Sequence, residues 1–136
     1  MNKKCQVFTP RDYVNELLDS VEYKENLYGK RIIENSCGDG NILVAVVQRY
    51  IDDCKKNGLS RTRIKNGLGR DIFGVEIDPE QYQICIDKLD AIIRKNGIQQ
   101  VKWSIYNVDY LANHKATFNI QKNGVVLSAT SKMSTT

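Results

Sequence analysis

An α/β fold built on a doubly wound parallel sheet, with helices on both of its faces, is predicted by three observations. Apolar Arg31-Ile32-Ile33 runs into the glycine turn Cys37-Gly38-Asp39-Gly40, and that turn opens a helical stretch from Asn41 to Ile51. A second β-branched and aromatic run, Asp71-Ile72-Phe73-Gly74-Val75-Glu76-Ile77-Asp78, closes on acidic residues before Pro79 starts another helix. Strands alternating with helices in this way are the signature of parallel crossover units.

The elements follow in order. Thr9 is an N-cap with Pro10 at the first helical position, and Tyr13 or Val14, Leu17, Leu18 and Val21 repeat with helical period. Ile42 to Val47 are apolar nearly all round, as suits a helix packed on a sheet. Lys55, Lys56, Arg61, Arg63, Lys65 and Arg70 then crowd one glycine-punctuated stretch, expected to be a solvated segment able to meet phosphates. Asp78 caps a helix whose buried face is Tyr82, Cys85, Ile86, Leu89, Ile92 and Ile93, and Asn96-Gly97 stops it. Trp103 begins or lies within a third strand as a core residue. Where a fourth strand is expected, the chain reads Ala116 to Gly124 and then Val125 to Thr130, and residues 112–136 are taken as a tail of uncertain structure.

The strand ends define a ligand site. Glycines at a strand-to-helix turn leave main-chain N–H groups unshielded beside the positive end of a helix dipole. In a doubly wound sheet the ligand lies along the carboxyl ends of neighbouring strands, which sets Gly38 and Gly40 beside Glu76, a carboxylate able to accept both hydroxyls of a ribose. The dinucleotide fingerprint fits poorly. Leu43 stands at its third glycine, and Glu76 follows Gly40 by 36 positions, whereas the acidic residue of those folds comes about 20 residues on. NAD is the weaker candidate, although a different nucleotide-binding α/β protein stays open as an alternative.

Four ordered segments resemble the S-adenosylmethionine-dependent DNA methyltransferases that modify the exocyclic amine of adenine in restriction-modification systems. Phe8-Thr9-Pro10 is similar to that family's N-terminal Tyr/Phe-Thr-Pro. Glu34-Asn35-Ser36-Cys37-Gly38-Asp39-Gly40 resembles its glycine loop, with Asn35 where proline is usual. Gly74 to Pro79 resembles its ribose-binding strand end, and Asn107-Val108-Asp109-Tyr110-Leu111 its third-strand motif. The resemblance implies a Rossmann-like class I methyltransferase sheet, of which this chain carries the N-terminal half, and a cofactor site of Phe8, Thr9, Pro10, Glu34, Asn35, Ser36, Cys37, Gly38, Gly40, Glu76, Ile77 and Asp109. It further implies that Thr9 and Pro10 border the methionine end, that Glu34 faces its ammonium and Ile77 the adenine, and that Asp109 accepts from the adenine amine.

The family's catalytic Asn/Asp-Pro-Pro-Tyr/Phe is missing. The chain has two prolines, Pro10 and Pro79, both already placed. No catalytic residue is assigned, since choosing Asn119 or Asn123 would force the pattern. The expectation is a single cofactor-binding domain over 1–136, with an N-terminal helical segment over 1–22, inactive alone. DNA would be the partner of the complete enzyme, and a catalytic partner chain or a homodimer would complete the sheet; a non-catalytic subunit of a split methyltransferase is the alternative.

Composition agrees with an ordinary globular domain: 41% hydrophobic residues and a net charge of +4, which neither demands nor excludes nucleic acid. No apolar run reaches membrane-span length and no signal-peptide core follows Met1, so a cytoplasmic protein without membrane contact is expected. Cys5, Cys37, Cys54 and Cys85 form no C-x-x-C pair, and with His114 the single histidine no metal site is expected. A nucleophilic cysteine with His114 as its base finds no support in their spacing.

Overall fold

The computed structural model describes residues 11–35, 37–108 and 124–127. Eight elements follow one another: α1 (Arg11–Ser20), β1 (Arg31–Asn35), α2 (Asn41–Lys56), α3 (Arg61–Asp71), β2 (Ile72–Val75), α4 (Pro79–Lys95), β3 (Ser104–Tyr106) and β4 (Gly124–Leu127). The strands form one sheet in the order β3-β2-β1-β4, every neighbouring pair parallel. That order is compatible with one half of a doubly wound sheet.

Register explains which side chains meet. Ile32 lies opposite Ile72, and Gly74 opposite Ile105, so these residues share one face of the sheet. They join a single apolar cluster with Leu43, Val46 and Val47 of α2, Ile64 and Leu68 of α3, Cys85, Leu89 and Ile93 of α4, and Val14 and Leu18 of α1. All four helices therefore bury their apolar stripes in one core. Among the described residues the helices share this one face of the sheet. Successive crossovers from β1 to β2 to β3 move in one direction, and right-handed connections then put their helices on the same side.

The charged stretch before β2, expected as a solvated loop, is corrected to a helix: residues 61–71 form α3, with Arg61, Arg63 and Arg70 still exposed. Ser60 caps it by accepting the Arg63 N–H at 3.2 Å, and Ile64 and Leu68 are fully buried. Its glycines obscure the helix in the sequence yet make the packing possible. A Cβ on Gly67 would strike the Tyr50 hydroxyl and the Tyr28 ring, and one on Gly69 would fall 2.6 Å from the Lys102 carbonyl.

The other helices keep their expected limits. Asp78 accepts from the Glu80 and Gln81 N–H groups at the start of α4, Pro79 is its first residue, and Gly97 leaves it with φ of 71°. The fourth strand, β4, occupies Gly124–Leu127 and pairs with β1, inside the segment expected to be a tail of uncertain structure. Its Gly-Val-Val-Leu sequence suits a strand. The start of α1, with Thr9 and Pro10, lies outside the described residues. No described helix is long and apolar enough to cross a membrane.

The connection from α1 to β1 is held by two aspartates. Asp53 accepts the Asn26 and Leu27 N–H groups, and Asp71 accepts the Gly29 N–H at 2.6 Å. Arg49 of α2 donates to Asp19 at 2.8 Å and to the Tyr23 carbonyl, tying α1 to α2. Backbone N–H groups on a buried carboxylate replace the water they lose, so this loop is fixed although it has no regular structure.

Candidate functional site

The carboxyl ends of β1 and β2 lie side by side, and the chain beyond each crosses toward its neighbour. The Cys37 N–H donates to the Val75 carbonyl at 3.0 Å, and the Glu76 N–H to the Tyr106 carbonyl at 2.9 Å. The ladder thus continues one step past the strands and brings the glycine turn, Glu76 and the end of β3 together.

Each glycine of the turn has its own reason. Gly38 has φ of +56° with open space where a Cβ would stand, so its left-handed backbone faces a vacant volume. Gly40 has φ of +93°, and a Cβ there would meet Cys85 Sγ at 2.9 Å and its Cα at 3.1 Å. Gly40 is the N-cap of α2 and supplies no side chain to the first helical N–H groups. Asp39 takes the Asn41 N–H at 3.2 Å, and Lys88 from α4 reaches Asn41 Oδ1 at 3.2 Å and Asp39 at 3.5 Å. The close approach of α4 to the turn is what Gly40 permits.

Glu76 joins the two strand ends. Its side chain is 7% exposed; Oε1 accepts the Gly38 N–H at 2.7 Å and Oε2 the Asp78 N–H at 3.0 Å. Each carboxylate oxygen has a second lone-pair site, so this anchoring leaves acceptor capacity on both. Asn107 adds a support that motif reading did not assign: its Nδ2 donates to the Glu76 carbonyl at 2.7 Å and the Ile77 carbonyl at 3.0 Å. The sequence signal for it was its place at the head of the third-strand motif Asn107 to Leu111. Ile77 next to it is 63% exposed, a large aliphatic side chain held out over the strand ends.

Glu34 and Asn35 close β1 in the interior, 1% and 5% exposed. Cys37 is buried as well. Its side-chain hydrogen bond with Cys85 raises the thiol pKa furthest, burial adds to this, and the Glu76 and Glu34 carboxylates push in the same direction. A thiol held protonated so firmly is a packing group, not a nucleophile. Phe8, Thr9, Pro10, Ser36 and Asp109 of the expected site, and His114, lie outside the described residues. Of the expected set, the structure brings together Glu34, Asn35, Cys37, Gly38, Gly40, Glu76 and Ile77.

No protein-family model matches the chain. Type II methyltransferase M.BstVI of Geobacillus stearothermophilus is 29% identical over 103 residues, which is 73% of this chain and 18% of that protein. Type II methyltransferase M.PaeR7I of Pseudomonas aeruginosa is 27% identical over 94 residues, 68% of this chain and 16% of that protein. The chain spans less than a fifth of the length of either relative. Over about 70% of its length, then, the chain is related to the type II methyltransferases of restriction-modification systems.

Proposed function

We propose that this chain is the S-adenosylmethionine-binding part of a DNA methyltransferase acting on the exocyclic amine of adenine, with a Rossmann-like sheet of which the strands β3-β2-β1-β4 are one half. The observation that carries this reading is the Glu76–Gly38 hydrogen bond: it fixes a carboxylate with spare acceptor sites beside an unshielded glycine turn at adjacent strand ends. That arrangement fits a nucleoside whose ribose meets Glu76 and whose adenine lies against exposed Ile77. The open space at Gly38 suits the close passage of a ligand along the turn.

Within this reading Gly38, Gly40 and Cys37 shape the turn, Glu76 binds the ribose, Asn107 holds the Glu76–Ile77 backbone, and Phe8, Thr9, Pro10, Glu34, Asn35, Ser36 and Asp109 complete the site as the sequence resemblance implies. When bound, the sulfonium cofactor supplies an activated methyl group. The chain's own residues orient it and hold Glu76 in place through the Gly38 and Asp78 N–H groups. The acceptor amine must be aligned and its hydrogen bonds accepted by groups such as those of Asn-Pro-Pro-Tyr. With Pro10 and Pro79 its only prolines, the chain holds no such motif, so that half of the chemistry belongs to further polypeptide or to a partner chain.

Calorimetric titration with S-adenosylmethionine and, in parallel, NAD tests the proposal on wild type, Glu76→Ala and Asp109→Ala. Saturable binding of the methyl donor, weakened at least tenfold by either substitution and absent for NAD, is the expected result. A folded chain that prefers NAD, or that binds neither, overturns it.

A further inference from the structure

A second concave surface lies away from the glycine turn, between α3 and the segment that enters β3. It encloses about 890 Å³ and is lined by Lys65, Gly69 and Arg70 from α3 and by Lys102, Trp103 and Tyr106 among others. That volume is near the upper end of ligand-sized pockets, roughly 300–1,000 Å³. Ser104 and Tyr106 alternate with buried Ile105, so their side chains stand on the sheet face opposite to it, at the edge where α3 and β3 meet.

The chemistry of the lining is one-sided. Three cations face it, and no Asp or Glu is among the lining residues. Arg70 is committed to Asp71 at 2.7 Å and to the face of Tyr28 at 4.6 Å, which fixes its position at the rim. No ion pair is recorded for Lys65 or Lys102 among the described residues. Tyr106 is 50% exposed; Trp103 is half-buried against the core, its indole N–H donating to Asp90 of α4 at 2.8 Å, so only part of that ring borders the groove. In the sequence, the basic cluster contains no aromatic residue; the fold supplies two from a segment more than thirty positions later.

We infer that this groove binds single-stranded nucleic acid, its lysines meeting phosphates and its aromatic rings meeting bases. Cations that track a backbone beside rings that stack on unpaired bases are the two parts such a site requires. An acidic peptide would satisfy the lysines but would leave the rings without flat partners. This contact is separate from the cofactor cradle and goes beyond the reading above, since it needs neither the cofactor nor the acceptor base.

Trp103 is the chain's single tryptophan, so its fluorescence reports the groove directly. The test titrates the purified chain with a mixed-sequence single-stranded DNA oligonucleotide at several salt concentrations, and with poly-glutamate as the competing anion. Saturable, salt-sensitive quenching by DNA is expected. The double variant Lys65→Glu/Lys102→Glu abolishes it, Tyr106→Ala weakens it about tenfold, and the charge-matched Lys24→Glu/Lys95→Glu, at exposed lysines outside the groove, leaves it as in wild type. Circular dichroism verifies that each variant is folded. The titration is run without S-adenosylmethionine, so failure of the cofactor reading and failure of this one are told apart. Quenching by poly-glutamate as strong as by DNA, quenching indifferent to the Lys65/Lys102 reversal, or none at all overturns the inference; the lysines then only guard an exposed sheet edge.

Discussion

Glu76 and Gly38 are linked by a 2.7 Å hydrogen bond from the glycine N–H to the buried carboxylate, joining the ends of two strands whose intervening chain includes two helices. The second carboxylate oxygen holds the Asp78 N–H, so one side chain sets both the glycine turn and the start of α4. Replacing it by glutamine leaves one acceptor oxygen for two N–H groups. Glu76→Gln is expected to lower stability by about 1–3 kcal/mol and to weaken binding of the methyl donor. Urea denaturation measures the first effect, and a midpoint equal to wild type would show that the two N–H groups are satisfied by other means.

Gly38 and Gly40 separate two costs of adding a methyl group. Both have positive φ, but only Gly40 would also collide with Cys85. Gly38→Ala therefore carries left-handed strain alone, about 1–2 kcal/mol, while Gly40→Ala adds displacement of α4 and is expected to cost about twice as much. Thermal melts of the two variants should rank in that order. Equal melting temperatures would mean that α4 can move away from the turn freely.

Much of this arrangement was legible in the sequence, for local reasons. The α4 boundaries follow from Asp78, Pro79 and Gly97, each acting on its own neighbours, and β1 and β2 from apolar runs that close on turn residues. Glu76 was legible because one carboxylate at a strand end has few structural uses. The misses depended on distant partners. The glycines of α3 looked like breakers because Tyr50, Tyr28 and the Lys102 carbonyl, which need the space, come from other elements. Asn107 was read only as part of a motif, since its acceptors sit about thirty positions earlier. The shared side of the described helices follows from the direction of the strand order, which no single segment encodes.

Cys54 lies in the core between α2 and its neighbours with no exposed surface. Burial, helped by the Asp53 and Asp71 carboxylates, pushes its thiol up to about 11. At pH 8 its thiolate fraction is on the order of a hundredfold below that of a free cysteine. Alkylation of native protein with iodoacetamide, followed by mass spectrometry of the Cys54 peptide, should show labelling slower than in urea by at least that factor. Similar rates would place Cys54 within reach of solvent through local opening.

Asp71 is fully buried at the junction of α3 and β2 and carries three kinds of donor: the Gly29 N–H, the Tyr50 hydroxyl and the Arg70 guanidinium. Burial alone would raise its pKa. Hydrogen bonds from Arg70, Tyr50 and Gly29 outweigh it and hold the carboxyl below the usual carboxylate range. A pKa lower in the folded than in the unfolded chain means that the unfolded state takes up the proton first as pH falls. The stabilisation is therefore complete above the unfolded value of about 4 and is lost as pH drops through the folded value. Asp71→Asn removes that linkage, so its stability should fall less steeply below pH 4 than wild type, from a lower plateau near neutrality. Asp71→Ala, which strands the donors around it, is expected to cost about 3–5 kcal/mol. Urea midpoints measured between pH 2.5 and 7 give both quantities, and parallel acid limbs for wild type and Asp71→Asn would assign the acid sensitivity to other carboxylates.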